Sequence, residues 1–228
     1  MSIKVKSIFG TLQGEGSKVG TPSVFVRLSG CNLWSGKEDS RATGKGHCAD
    51  WCDTEFYGGK SYGPSELWND VWKEAYDYGV ASTEKWLMVI TGGEPLLQLN
   101  SSDGLKFLSL MKSRGVIVAV ETNGTVAISG ELLSFLDHIT VSPKPIKGSD
   151  CLDHIVVRNG TDLKVIGGIW SEEALAEMNG WNFEHRFIQP LDPTVFSDAE
   201  VDLQGATELA VKIGWRVSVQ THKLLGLE

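Results

Sequence analysis

The sequence predicts an α/β protein with a largely parallel sheet, and three observations carry that prediction. Short apolar runs of strand length alternate with stretches of helical period from Pro64 onward. Glycine closes several of the helical stretches, as at Gly79, Gly115 and Gly214. The apolar runs end almost uniformly in polar, Gly or Pro residues, which places a shared mouth at the carboxyl ends of the strands, whether the sheet stays open or curls into a barrel.

In order, Ile3 to Phe9 alternates loosely and reads as a first strand. Thr11-Leu12-Gln13-Gly14-Glu15-Gly16 is a Gly-spaced polar loop, and no helical pattern follows it as a dinucleotide fingerprint requires. By itself the loop reads as a flexible turn. As a ligand loop it would offer the Gln13 amide and the Glu15 carboxylate on closely approachable backbone. Pro22 to Leu28 is a strand that delivers Arg27 and then Cys31. Asn32 to His47 is polar and aperiodic.

Pro64 to Tyr78 is a helix with Leu67, Val71, Trp72, Ala75 and Tyr78 on one stripe, its aromatic residues expected in the core. Strands follow at Trp86 to Thr91, Val116 to Glu121, His138 to Ser142, Asp162 to Ile166, Arg186 to Gln189 and Trp215 to Gln220. Helices are expected at Asp103 to Ser113, Gly130 to Leu136, Glu172 to Met178 and Asp198 to Ile213. Alternation of this kind means parallel strands joined by right-handed crossovers.

The predicted mouth therefore collects Arg27 with Cys31, Thr91-Gly92-Gly93-Glu94-Pro95, Glu121-Thr122-Asn123-Gly124, Ser142-Pro143-Lys144, Gln189-Pro190-Leu191-Asp192 and Gln220-Thr221-His222-Lys223. At 228 residues the chain suits a single domain. A net charge of −8 without a dense Lys/Arg cluster argues against a nucleic-acid partner. No apolar run approaches the roughly 18 residues of a membrane span. Met1 to Thr11 lacks the apolar core of a secretory signal, so the expected location is the cytoplasm and the expected cysteine state is the reduced thiol.

Three of those cysteines hang over the mouth. Sixteen residues separate Cys31 from Cys48 and three separate Cys48 from Cys52. Three thiols without an obvious fourth ligand can hold a 4Fe-4S cluster with one iron left open. With His47 or Cys151 as a fourth ligand they would make a structural zinc site, and spacing leaves both open. An isolated Cys151 otherwise reads as a small hydrophobe.

Cys31-Asn32-Leu33-Trp34 and Cys48-Ala49-Asp50-Trp51-Cys52-Asp53-Thr54, with Gly92-Gly93-Glu94-Pro95, resemble the radical S-adenosylmethionine (SAM) enzymes. Leu12 to Gly16, Glu121 to Gly124, Ser142 to Lys144 and Gln220 to Lys223 extend the resemblance, in order along nearly the whole chain, to the 7-carboxy-7-deazaguanine synthase family of queuosine and deazapurine biosynthesis. The resemblance implies a partial TIM-type βα barrel of about six parallel strands with an enlarged cluster-binding loop over 30–56. It implies a lyase that uses a SAM-derived 5′-deoxyadenosyl radical to abstract hydrogen from C6 of 6-carboxy-5,6,7,8-tetrahydropterin, contract the ring and release ammonia.

By the same resemblance Cys31, Cys48 and Cys52 hold the cluster, and Asp50, Trp51, Gly92, Gly93, Glu121, Ser142, Pro143, Lys144, Gln189, Pro190, Leu191 and Asp192 bind SAM. Thr54 carries Mg²⁺. Leu12, Gln13, Gly14, Glu15, Arg27, Thr91, His222 and the terminal Glu228 meet the substrate. A homodimer and an external reductant such as a flavodoxin are implied with them. From the residues themselves, Arg27 offers a bidentate fork for a carboxylate. A glycyl-radical activase needs a surface for a large protein in place of this polar set, and a zinc-stabilised binding module is the non-catalytic alternative.

Overall fold

The computed structural model describes residues 2–82, 85–149, 151–191 and 203–227. Within them β1 (Ile3–Leu12), β2 (Pro22–Leu28), β3 (Lys60–Tyr62), α1 (Pro64–Asp77), β4 (Leu87–Gly92), α2 (Leu96–Leu99), α3 (Ser102–Lys112) and β5 (Ile117–Thr122) form the first half. The second half is α4 (Gly130–Leu133), β6 (His138–Val141), β7 (Asn159–Ile166), α5 (Glu172–Asn179), β8 (Asn182–Gln189), α6 (Leu203–Ile213), β9 (Arg216–Val217) and α7 (Thr221–Leu224).

The described strands make one open sheet in the order β3-β1-β2-β4-β5-β6-β7-β8-β9. From β2 through β9 every pairing is parallel, whereas β1 lies antiparallel between β2 and β3. The α/β class and the incomplete barrel expected from the sequence are present. The antiparallel β1 was not anticipated, and its physical reason is the short connection to β2, which permits a hairpin but no crossover.

Period-two alternation gives the sheet two faces. Val24, Val26, Leu28, Met88, Ile90, Val118 and Val120 face the helix layer and belong to the main core. Phe25, Leu87, Val89, Ile117 and Ala119 pack together on the opposite face, where Arg27, Thr91 and Glu121 continue the same side toward the strand ends. Three of the helices, α3, α4 and α5, begin with side-chain caps: Ser101, Ser129 and Ser171 accept from the backbone N–H of Gly104, Leu132 and Ala174.

Three expectations need correction. In α1 the buried stripe is Leu67, Val71 and Ala75, while Trp72 and Tyr78 are 41% and 40% exposed. Trp72 is turned by roughly 100° from Val71, off the core face. The last strand pairs only over Arg216–Val217: Ser218 still donates its N–H to Ile188 O while its hydroxyl accepts from Gly16, after which Thr221 bonds Gly14 and the chain enters α7. The helix expected at 130–136 is regular only to Leu133 and runs on as turns. Residues 198–202 of the last expected helix lie outside the described residues.

The loop after β1 reaches the far strands of the open sheet. The Thr221 backbone N–H and hydroxyl both donate to the Gly14 carbonyl at 3.0 Å, and the Gly16 N–H donates to Ser218 Oγ at 3.1 Å. The Ser17 N–H and hydroxyl donate to Asp162 Oδ2 at 2.8 and 3.0 Å, and His138 Nε2 lies 3.3 Å from the same oxygen. Burial alone would raise the Asp162 carboxyl, but the His138 and Ser17 bonds outweigh it and hold the group below its ordinary range.

A carboxyl depressed on folding stabilises the fold above its unfolded value and loses that contribution as pH falls toward the folded one. Urea unfolding of the wild type and Asp162→Asn is therefore expected to show its full stability gap near neutral pH and a shrinking gap below about pH 4. A gap independent of pH down to about pH 3 would place the ion pair elsewhere in the energetics.

Candidate active site

Gly92 and Gly93 set the geometry at the end of β4. A Cβ at Gly92, whose φ is +137°, would sit 2.1 Å from the Leu28 carbonyl oxygen, and one at Gly93 would meet Gly30 O at 2.2 Å and Cys31 Cβ at 2.8 Å. Only glycine allows this approach. The Glu94 N–H then donates to Gly30 O at 2.8 Å, so the turn is stitched to the start of the cysteine loop. The fully buried Glu94 carboxylate accepts from Thr122 Oγ1 at 2.8 Å and from the N–H groups of Asn123 at 2.8 Å and Leu96 at 3.0 Å. Burial pushes its carboxyl up, and those donors oppose the shift.

The cysteine loop has its own small core. Trp34, Ala49 and Phe56 are buried together with Cys31 and Cys52 against them, the Trp34 and Phe56 rings meeting edge-on at 5.5 Å. Arg41 braces the inserted segment. Its guanidinium stacks 4.5 Å from the Trp34 ring, donates to Ala49 O at 2.6 Å and Cys52 O at 3.3 Å, and pairs with Glu38. The backbone around Gly46 also bridges to Ile146, with His47 N–H on Pro145 O and Lys147 N–H on Lys45 O.

Around this frame lies a cavity of about 1120 Å³. Cys31, Cys48, Cys52, Trp51, Thr54, Gly92, Gly93, Glu121, Ser142, Lys144, Gln189, Pro190 and Leu191 line it, and so do Leu12, Gln13, Glu15, Arg27, Thr91 and His222. Gly14 stands behind His222, where a Cβ would fall 1.9 Å from His222 Nδ1. Asp50 pairs with Lys147 at 2.6 Å, and neither it nor Pro143 is in the described lining. Asp192 and Glu228 lie outside the described residues.

Burial pushes the Cys48 thiol up to about 12, with Lys144 opposing and the Cys52 and Cys31 charges adding to the rise. Burial likewise raises Cys31 and Cys52. The Lys144 ammonium is drawn down by burial and held up by the three cysteines. It sits 6.0 Å from the Trp51 ring. Among the described residues no group of three or more His, Cys, Asp or Glu side chains is drawn around a single ion. His47 faces Asp50 at 4.0 Å and Cys151 is exposed.

At the other end of the cavity Phe9 and Phe25 stack at 5.4 Å, with Arg27 5.5 Å above the Phe9 ring. Gln13 Nε2 donates to Glu121 Oε1 at 3.0 Å, and Thr91 Oγ1 donates to Glu121 Oε2 at 3.3 Å. His222 Nδ1 is buried without a partner; burial, Lys223, Lys164 and Arg27 press the ring toward its neutral form. Asn123 and Gln220, placed in the predicted mouth without a role, line the cavity, and Lys164, which the sequence reading gave no place in the site, lines it too. Asn123 donates to Asn32 Oδ1 at 3.1 Å beside Cys31. Gln220 and Lys164 converge on Glu15. The available signal for Lys164 was a charge inside the apolar run Leu163-Lys164-Val165-Ile166.

The chain is 38% identical over its whole length to the 7-carboxy-7-deazaguanine synthase of Caulobacter vibrioides and 39% identical to that of Bradyrhizobium diazoefficiens, with full coverage of both relatives. The Bordetella pertussis enzyme of the same name is 35% identical, again over the full length of both chains. The fold matches a crystal structure of QueE from Escherichia coli with a TM-score of 0.66 over 96% of this chain and 94% of that one, at 23% identity. No family model matches.

Removing the brace should loosen the inserted segment without unfolding the sheet. Arg41→Ala is expected to speed proteolytic nicking within 32–47 by about tenfold or more while global stability falls by only about 1 kcal/mol. Unchanged nicking would show that the Trp34–Phe56 packing alone orders the segment.

Proposed function

The chain belongs to the 7-carboxy-7-deazaguanine synthase family, and from that premise we propose that it converts 6-carboxy-5,6,7,8-tetrahydropterin to 7-carboxy-7-deazaguanine and ammonia, using a 4Fe-4S cluster and SAM. The observation that carries this reading is that one cavity is lined both by the three cysteine thiols and by Arg27, Gln13, Glu15 and His222. At about 1120 Å³ it exceeds the usual upper range of about 1,000 Å³ for small-molecule sites, as a cofactor and a substrate held side by side require.

The donor set fits the cluster. Burial raises all three thiols, and Cys31 adds to the rise of Cys48 and Cys52, so they are stable together as thiolates when cationic charge is supplied; Lys144 contributes one such charge, and irons would contribute the rest. When bound, the cluster and SAM supply a 5′-deoxyadenosyl radical that takes hydrogen from substrate C6.

The remaining work falls to the chain. Gly92 and Gly93 leave room beside Cys31, and Trp51 offers a flat face near Lys144. Glu121, Ser142 and Lys144 present polar groups to the cofactor, and Gln189, Pro190 and Leu191 close over it, with Asp192 next in sequence. Arg27 holds the substrate carboxylate with its fork; among the described residues it makes no ion pair, so the fork is available. Leu12, Gln13 and Glu15 form the wall that meets the pterin edge, Gly14 backs it behind His222, and Gln13 joins that wall to Glu121.

Thr54, whose hydroxyl donates to Asp53 Oδ1 at 3.3 Å, contributes an oxygen to Mg²⁺ shared with the substrate. His222 lines the cavity beside the substrate wall, with Nδ1 turned back against Gly14 and buried without a partner. No helix among the described residues is long and apolar enough to cross a membrane. A cytoplasmic location, a homodimer and an external one-electron donor such as a flavodoxin complete the reading.

The direct test is anaerobic reconstitution followed by reductant, SAM, Mg²⁺ and the carboxypterin, with mass spectrometry for the deazapurine acid. SAM cleavage without that product would reject the substrate assignment. Cys48→Ala is expected to lose bound iron and sulfide, whereas Cys151→Ala should retain both and turn over normally. Arg27→Lys keeps charge but loses the bidentate fork, so its KM for the carboxypterin should rise by about tenfold or more, reported by steady-state kinetics.

A further inference from the structure

Glu15 crosses the cavity to reach the strands on the opposite edge of the open sheet. Its Oε1 accepts from Gln189 Nε2 at 3.2 Å, at the end of β8, and from Gln220 Nε2 at 2.7 Å, beyond β9. Its Oε2 pairs with Lys164 Nζ on β7. Lys164 is only 6% exposed, inside a parallel strand where a lysine has little reason to be unless its charge is used. Burial and the Lys223 cation press its ammonium toward the neutral form, and Glu15 supplies the compensating negative charge. The Glu15 N–H also donates to Gln13 Oε1 at 3.1 Å, while Gln13 Nε2 donates to Glu121. The Lys164–Glu15 contact thus continues through Gln13 to the base of the cofactor region.

We propose that Lys164 is a positioning residue that holds the Glu15 side chain across the cavity and thereby fixes Gln13 and Glu15 as the wall reading the polar edge of the substrate. The proposal rests on the assignment of this wall to the substrate. It differs from a purely structural role because its effect passes through one carboxylate. If the pair only held the barrel shut, the contacts of Gly14, Gly16 and Ser17 with Thr221, Ser218 and Asp162 would already serve that purpose.

A double-mutant cycle with Glu15→Gln and Lys164→Met tests it, read as KM and kcat for the carboxypterin and as the ratio of 5′-deoxyadenosine to deazapurine acid. Lys164→Met alone should raise KM by about tenfold or more, the scale of a buried charged partner removed, with more SAM cleaved per product. In the Glu15→Gln background the same substitution should add less than about twofold, because the residue it acts through is gone. An equal loss in both backgrounds would overturn the proposal.

Should Lys164→Met fold poorly, Gln220→Leu removes another donor to the same carboxylate and is expected to shift KM in the same direction with a smaller amplitude. No shift in that soluble variant would also count against the proposal. Hydrogen exchange of the Gln13 to Ser17 amides in substrate-free protein separates this proposal from the substrate assignment. Lys164→Met should increase exchange there even if wild type fails to turn over the carboxypterin, and unchanged exchange would contradict the positioning role.

Discussion

The site depends on one steric constraint, the contact between the end of β4 and the start of the cysteine loop. Two strand ends meet backbone to backbone because Gly92 and Gly93 carry no Cβ, and a methyl at either would overlap a carbonyl oxygen. Cys31 is thereby held against the mouth of the sheet. Glu94, buried beneath it, turns the same constraint into a network by accepting from the β5 end at Thr122 and Asn123. A carboxylate with three donors is stable in the interior where an unpaired one is not. The motif that reads as a cofactor signature is, in the folded chain, a device for bringing three strand ends to one place.

Charge then divides the cavity. Lys144 is the cation the three thiols act on, Lys223, Lys164 and Arg27 all act on His222 with Glu15 paired to Lys164, and Asp53 acts on both groups. Gln13 bonded to Glu121 spans the two regions. Ion pairs at the rim, Lys6 with Glu55 and Lys223 with Asp53, tie the cysteine loop to β1 and α7. Exposed pairs of this kind contribute little stability, so they matter chiefly for where the loop sits.

Much of this was legible in the sequence wherever local pattern and tertiary role agree. Pro22 to Leu28 alternates and forms β2 over the same residues, and the helix beginning at Pro64 starts there. The convergence of Arg27, Thr91, Glu121, Ser142 and Gln189 followed from reading every strand end together. What escaped reading depends on partners distant in sequence. Asn32 to His47 has no period because its order comes from Arg41 stacking on Trp34 and from a bridge to Ile146. The end of the last strand was misjudged because Thr221 bonds Gly14, far away along the chain. Lys164 hides inside an apolar strand for the same reason, its partner being contributed by the loop after β1.

The central claim, that the β4 turn and the cysteine loop build one centre for a cluster beside a carboxylate-binding wall, is tested most directly by anomalous diffraction at the iron edge from crystals of the anaerobically reconstituted protein. The account predicts one compact iron peak within bonding reach of Cys31, Cys48 and Cys52. An iron peak away from these thiols, or a zinc signal at them with no iron, would contradict it.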